Sequence, residues 1–222
     1  MDMSICVLIC DDHWVVRQGL KQTLADAPDF CVVAEAADGA ECVRLVRGHM
    51  AEGTLDVVLL DVALPHRDGL DVLKQLKAEY PRLPVLMLST YPDKQFALRA
   101  LKLGACGYLN KNADPADLLA ALGKAASGGI YVTPALAEAL ATSISRPQDE
   151  AGEDAAMERL SNREYQVFRL LAEGQAVGQI AERLHLSPNT VSTYRARILE
   201  KTGVRNDVEL ALYAVRQKLI AV

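Results

Sequence analysis

The sequence predicts an α/β protein: a doubly wound, five-stranded parallel sheet followed by a small all-α domain. Three observations carry this expectation. Short, continuously apolar runs alternate with helical patterns through about the first 127 residues, several of those runs end on a charged or hydroxyl group, and from Leu160 onward the apolar spacing is helical throughout.

The strands come first. Ile5 to Ile9, Cys31 to Val33, Val57 to Leu60, Val85 to Leu88 and the short Tyr108-Leu109 are unbroken apolar runs rather than alternating ones, as expected of parallel strands covered on both faces. Between them, Val15-Val16-Leu20-Leu24, Val43-Leu45-Val46 and Leu118-Leu119-Leu122 recur at three- and four-residue steps and predict helices. After Ser127-Gly128-Gly129, Thr133 can cap and Pro134 can open a further helix running to Ala141. Residues 142 to 156 are polar and acidic with few large apolar groups, and read as a flexible linker. Ser161 and Glu164 form a capping-box signal for a helix carrying Val167, Leu170 and Leu171, which Glu173-Gly174 stops. A second helix carries Ile180, Ala181 and Leu184; a third opens with Ser187 as cap and Pro188 at its first position; a last one spans Val208 to Lys218. The expected division is a first domain over 1–127, a connecting helix and acidic linker over 128–157, and a helical domain over 158–222.

Charge divides with the domains. Thirteen basic and 18 acidic residues lie through Ala141, whereas 158–222 holds ten basic and seven acidic residues. A basic excess on a small domain is compatible with nucleic acid. No apolar run reaches membrane-spanning length, and Met1-Asp2-Met3-Ser4 lacks the basic flank of a signal peptide, so a cytoplasmic protein without a membrane partner is expected. The five cysteines, Cys6, Cys10, Cys31, Cys42 and Cys106, lack metal-ligand spacing and read as small core residues. His13, His49, His66 and His185 are scattered and form no metal-ligand motif.

Ligands of an open α/β sheet bind outside the carboxyl ends of its strands, where Asp11-Asp12, Asp61, Ser89 and Lys111 would converge. Each acid alone is equally at home as the cap of the next helix. Together, three carboxylates repel one another and call for a divalent cation, and oxygen ligands point to Mg2+. On this reading Asp61 attacks as nucleophile and becomes an aspartyl phosphate, Asp11 and Asp12 hold the metal, Lys111 pairs with the phosphoryl group and Ser89 donates a hydrogen bond to it.

Residues 4 to about 126 resemble the receiver domain of two-component response regulators, through Asp11-Asp12, Asp61 with Leu64-Pro65 and Asp68-Gly69, Ser89, and Gly104-Ala105 with Gly107-Tyr108-Leu109-Asn110-Lys111. The resemblance implies a flavodoxin-like sheet and phosphorylation of Asp61 by a cognate histidine kinase. It also implies magnesium held by Asp12, Asp61 and the Ala63 backbone carbonyl, with Asp11 acting largely through water, and Ser89 and Tyr108 as a switch pair. Thr90, where many receivers have a small residue, is expected to narrow access to the phosphoryl group, and Asn112 stands where many have Pro.

In the C-terminal part the second and third helices form a helix-turn-helix pattern. Val191, Tyr194, Ile198 and Thr202 fall on one face of the third helix, and Ser192, Thr193, Ala196, Arg197 and Glu200 on the other. The small polar face can approach base edges, while Arg195, Arg197 and Lys201 can reach phosphates or a guanine. Leu160-Ser161 with Arg163-Glu164, Leu171-Ala172-Glu173-Gly174, Ile180 to Leu184, Leu186 to Val191 and Lys201-Thr202-Gly203-Val204 resemble the LuxR-type DNA-binding domain, so the whole chain resembles a NarL/FixJ-type response regulator. That resemblance adds Asn189 and Thr190 to the expected DNA contacts. It implies double-stranded operator DNA as a partner, a homodimer on phosphorylation, and RNA polymerase as a further candidate partner. Ala176, where a Ser or Thr commonly caps the second helix, Gly178 in its first turn, and Thr202, in place of a usual apolar residue, depart from the pattern.

Two other functions fit the residues less well. A phosphatase of the haloacid dehalogenase kind needs a general acid two residues after the nucleophile, and this chain has Ala63 there. A degenerate receiver that works without phosphate would not need the acid pair, the acceptor, the hydroxyl and the Lys that are all present. The expectation is therefore a transcription factor rather than an enzyme.

Overall fold

The computed structural model describes residues 4–90, 94–145, 156–157, 159–217 and 219. The chain divides into two compact units, Met1–Thr142 and Ser143–Val222.

The first unit alternates strands and helices: β1 (Ile5–Cys10), α1 (Trp14–Ala25), β2 (Phe30–Ala36), α2 (Gly39–Glu52), β3 (Val57–Asp61), α3 (Gly69–Glu79), β4 (Val85–Ser89), α4 (Lys94–Lys102), β5 (Gly107–Asn110) and α5 (Pro115–Ala126). All five strands are parallel, in the order β2-β1-β3-β4-β5, the doubly wound arrangement whose strand order reverses beside β1. Alternate residues of each strand serve opposite faces. Val7 and Ile9 of β1, Val57 and Leu59 of β3 and Leu86 and Leu88 of β4 pack with Leu24 of α1 and with Leu118, Leu122 and Ala125 of α5. The intervening residues, such as Leu8, Val58 and Leu60, are equally buried, which is why the runs are apolar without a break.

Three acids do stand at helix N-caps, two of them bonding the helix through their side chains, and they are not those of the predicted site. Asp38 accepts from Ala40 and Glu41 N–H, Asp68 accepts from Leu70 N–H, and Asp114 precedes Pro115 at the start of α5. A further helix, α6, spans Pro134–Ser145, past the expected end at Ala141. The sequence has no helix breaker there before Pro147, and small or β-branched residues tolerate helix even without favouring it. The remainder of the expected linker, residues 146–155, lies outside the described residues, as do Glu158 and Lys218.

The second unit contains α7 (Asn162–Ala172), α8 (Val177–Arg183), α9 (Pro188–Thr202) and α10 (Asp207–Arg216). The capping box closes as the sequence predicts: Glu164 N–H donates to Ser161 Oγ at 3.3 Å, and Ser161 N–H donates to Glu164 Oε2 at 2.7 Å. Val167, Phe168, Leu170, Ile180, Val191, Ile198 and Leu210 form the buried interior. Phe168 meets Tyr213 edge-on at 6.4 Å between ring centroids, which ties α7 to α10. The turn between α8 and α9 is tight enough to hold His185 in the left-handed region at φ 51°, a conformation that L residues other than Gly seldom adopt. Among the described residues, no helix is long and apolar enough to cross a membrane.

Candidate functional site

Strand register, rather than proximity in sequence, assembles the acidic pocket. Cys10 of β1 stands beside Leu60 of β3, so the next residues, Asp11 and Asp61, emerge together at the ends of adjacent strands. Asp61 in turn stands beside Leu88 of β4, and Ser89 beside Asn110 of β5, which delivers Ser89 and Lys111 to the same rim. Lys111 Nζ reaches Asp11 Oδ2 at 2.6 Å and Asp61 Oδ2 at 2.8 Å. At these distances the ammonium bridges the two carboxylates through charge-assisted contacts. Asp11, Asp61 and Ser89 are buried, at 0, 1 and 1% exposure, whereas Asp12 is partly open to solvent.

Burial pushes the Asp61 carboxyl up to about 6. Lys111 opposes the rise, Asp11 reinforces it, and the Ala63 N–H bond to the carboxylate also opposes it. Burial by itself would lower the Lys111 ammonium, but Asp61 and Asp11 outweigh it and hold Lys111 above its ordinary value.

Three groups around the pocket were given no role in it from the sequence. The backbone N–H of His13 donates to Asp11 Oδ1 at 2.9 Å, and its Nδ1 lies 2.7 Å from Asp12 Oδ1. Ligand atoms of Asp11, Asp12, His13 and Asp61 all fall within 4.8 Å of one another, so the reading of His13 as one of four scattered histidines is corrected. His13 occupies the N-cap of α1 without capping it, which aims its ring at the acids instead. Arg17, one helical turn on, donates to the backbone carbonyl of Asp11 at 2.6 Å and faces Glu35 of β2, fixing the strand end. Gly69 lies so close to β3 that a Cβ there would overlap the Asp61 carbonyl oxygen, and its N–H donates to Val62 O at 2.9 Å. Only Gly lets the loop after Asp61 fold back this tightly.

The donor set is compatible with magnesium: carboxylate oxygens predominate, with Asp11, Asp12 and Asp61 within 4.8 Å of one another and Lys111 in contact with Asp11 and Asp61, a clustering of acids that a hard divalent cation would suit. Ala63 follows Asp61 closely enough for its N–H to bond the acceptor carboxylate. Tyr108 is buried at 6% exposure on β5, on the face opposite Leu109, which packs toward α5. Thr90 is exposed at the rim, and Asn112 N–H is turned back onto Asn110 Oδ1 at 2.8 Å.

On α9 the two expected faces are present. Val191 and Ile198 are fully buried, Tyr194 and Thr202 are partly so, and Ser192, Thr193, Ala196, Arg197 and Glu200 are exposed. Ser187 caps the helix by accepting from Thr190 N–H at 3.1 Å, which leaves Asn189 exposed and Thr190 half-buried at its start. Ser192 and Thr193 donate their hydroxyl protons to the carbonyls of Pro188 and Asn189 and keep lone pairs outward.

Two of the expected cationic contacts are placed differently. Lys201 Nζ lies 2.6 Å from Glu164 Oε2 and donates to Arg159 O at 3.2 Å, and Arg195 Nε donates to Asp207 Oδ1 at 2.7 Å. Burial would raise the Glu164 carboxyl, but Lys201 and the Ser161 N–H outweigh it and hold it low. The face pattern along one helix could not foresee these pairs, because the acids come from α7 and α10.

Comparison with known proteins returned two family matches: "Response regulator receiver domain" over residues 7–123, and "Bacterial regulatory proteins, luxR family" over residues 158–214. The response regulator GacA of Pseudomonas aeruginosa is 37% identical over 216 residues, covering 97% of this chain and 98% of the relative. The transcriptional regulatory protein UhpA of Escherichia coli K12 is 39% identical over 207 residues, covering 93 and 96%. Among solved structures, RcsB of Salmonella enterica serovar Typhimurium, bound to the rprA promoter in the presence of phosphomimetic BeF3−, matches with a TM-score of 0.59 and 28% identity, covering 95% of this chain and 98% of that one.

Proposed function

Because the chain belongs to the NarL/FixJ-type two-component response regulators, DNA-binding transcription factors with a receiver and a LuxR-type helix-turn-helix domain, we propose that Asp61 is its phosphoryl acceptor and that α9 reads its operator. The observation that carries the first assignment is a carboxylate 1% exposed at the end of a central strand, held 2.8 Å from a lysine and beside a second buried acid.

A carboxylate oxygen of Asp61 attacks the phosphorus of a phosphohistidine on the cognate kinase. One P–O bond forms as the P–N bond breaks, and the imidazole leaves. Lys111 stays with the transferred group as counter-charge, and the Ser89 hydroxyl donates to one of its oxygens. Asp12, Asp61 and the Ala63 carbonyl would hold magnesium, with Asp11 acting through water; when bound, it supplies charge that neutralises the equatorial oxygens. Ser89 and Tyr108 relay the change, Ser89 by moving toward the phosphoryl group and Tyr108 by turning within the space so released.

The DNA contacts proposed are Asn189, Thr190, Ser192, Thr193, Ala196 and Arg197 toward the major groove, with Arg195 reaching the backbone from its pair with Asp207. That RcsB, which this chain resembles, is bound to promoter DNA supports DNA as the ligand of this domain. On α10, Val208 and Leu212 are exposed at 71 and 53%, and with the half-buried Val215 they suit the seam of a phosphorylation-dependent homodimer. A cytoplasmic site of action, and contact with RNA polymerase, follow from the same reading.

The experiment is phosphotransfer from the autophosphorylated kinase to wild type and to Asp61→Asn. Wild type is expected to gain an alkali- and hydroxylamine-labile phosphate and to bind operator more tightly. Label on Asp61→Asn at the wild-type rate would overturn the acceptor assignment, and unchanged operator affinity in phosphorylated wild type would overturn the control.

A further inference from the structure

Four of the five cysteines occur as two close pairs, and the pair remote from the acidic pocket has the geometry of a reactive site. Cys6 of β1 and Cys31 of β2 are register partners on adjacent parallel strands, with their sulfurs 3.2 Å apart. Strand neighbours stand about 4.8 Å apart, inside the range of roughly 4.4–6.8 Å between Cα atoms that a disulfide spans, so side-chain rotation alone can close the bond. Both thiols are partly exposed. The second pair, Cys10 and Cys42, is buried, and Cys106 lies at the start of β5, at the opposite edge of the sheet from β2.

We propose that Cys6 and Cys31 form an oxidisable pair, which a peroxide-class oxidant joins in an intramolecular disulfide. Cys31 sulfur attacks one peroxide oxygen, the O–O bond breaks, and a sulfenic acid and one water result. Cys6 sulfur then attacks the Cys31 sulfur, the S–O bond breaks, and the hydroxyl leaves as a second water with the Cys6 proton. In sum, two thiols are oxidised to one disulfide while the peroxide is reduced to two waters.

The assignment of roles follows the surroundings. Contact with Cys31, burial and the Asp56 carboxylate, which accepts from the Cys6 N–H at 2.8 Å, all raise the Cys6 thiol, and because the fixed negative charge of Asp56 stands beside Cys6 it is Cys6 that keeps its proton and acts second. The link would enclose the whole of α1 and the Asp11-Asp12 segment in a covalent loop, and pin the β1–β2 register next to its irregularity between Val7 and Leu8. Asp11 lies five residues further along, roughly 16 Å at the rise of a strand, so the linkage acts on the opening of α1 and β2 and leaves the pocket itself untouched.

The test treats the full chain with a small excess of hydrogen peroxide. Expected are the loss of two hydrogens in intact mass, a fall of two in the titre of free thiols, a Cys6–Cys31 linked peptide after digestion, and a rise of several degrees in the receiver melting midpoint that dithiothreitol reverses. Cys6→Ser should form no intramolecular link and should instead expose a sulfenic acid on Cys31 that dimedone traps; Cys31→Ser should form no link either. A cross-link between other cysteines or between chains would overturn the proposal. So would an intramolecular link that persists in Cys6→Ser or Cys31→Ser, or thiols unchanged under conditions that oxidise free glutathione.

Discussion

Replacing Asp61 by Asn, with divalent cations chelated, is expected to make the receiver unit more stable at neutral pH, although it removes the proposed acceptor. The Asp61 carboxyl titrates near 6 in the fold against 3.8 when free, because burial and Asp11 disfavour its charge more than Lys111 favours it. The folded chain therefore binds the proton more tightly than the unfolded chain, and stability falls as pH rises from about 4 through 6. At 1.36 kcal/mol per tenfold change in proton affinity, the charged form costs on the order of 3 kcal/mol at pH 7 and nothing below both values. Asn keeps the size and removes the charge, and Lys111 retains Asp11 at 2.6 Å. At about 2–4 °C per kcal/mol for a unit of this size, the receiver melting midpoint should rise by roughly 6–12 °C at pH 7. The assay is calorimetry of the full chain with a chelator at pH 7 and again near pH 4, where the difference should close. A variant no more stable than wild type at pH 7, or a gap of equal size at both pH values, would refute the electrostatic account of this pocket.

Three further outcomes are expected. Lys111→Ala should still accept phosphate, slowly, but its operator affinity should not rise on phosphorylation; a rise equal to that of wild type would remove Lys111 from the relay. Lys201→Ala should destabilise the C-terminal unit by about 1–3 kcal/mol, because it strands the buried Glu164, and should leave the slope of log affinity against log salt unchanged. Arg197→Ala should flatten that slope by about one, so a slope lowered by Lys201→Ala would show that Lys201 does neutralise a phosphate. Ala176→Ser should raise the stability of the C-terminal unit by a few tenths to about 2 kcal/mol. Ala176 has extended backbone at the N-cap, and its N–H already takes Gln179 Oε1 at 2.9 Å, so Ser would complete the reciprocal bond; a urea midpoint that stays put would refute this.

The receiver was legible because its strands carry their function at their ends. Parallel strands buried on both faces leave apolar runs without alternation, so the residue that breaks each run marks the rim of the sheet, and the rim is where Asp61, Ser89 and Lys111 meet. His13 and Arg17 were not legible, since their roles depend on the pitch of α1 over the strand end and on Glu35 of the next strand. The end of α6 was misplaced because composition changes at Thr142 while the first breaker is Pro147. On α9 the periodicity separated the two faces, but a single-helix pattern is blind to what the neighbouring helices bring. Lys201 and Arg195, expected from that projection to reach phosphates or a guanine, are paired by Glu164 of α7 and Asp207 of α10.

The two units bury carboxylates on opposite terms, and that contrast separates a working site from a structural one. Glu164, 3% exposed, has its negative charge met by Lys201 and by the Ser161 N–H, and its carboxyl is held low, so the fold gains from keeping it ionised. Asp61, 1% exposed, shares one ammonium with Asp11 while Asp12 stands beside them, and its carboxyl is pushed up. A structural carboxylate so placed would be replaced at a gain in stability, whereas a nucleophile has to remain both anionic and under-compensated. On the proposed function, the charge that pushes Asp61 up is the charge that a bound divalent cation and Lys111 would meet once a phosphoryl group arrives. On this argument the burial and the Asp11 charge that push Asp61 up would give the proposed phosphorylation its purchase on the fold, because filling the pocket would offset them.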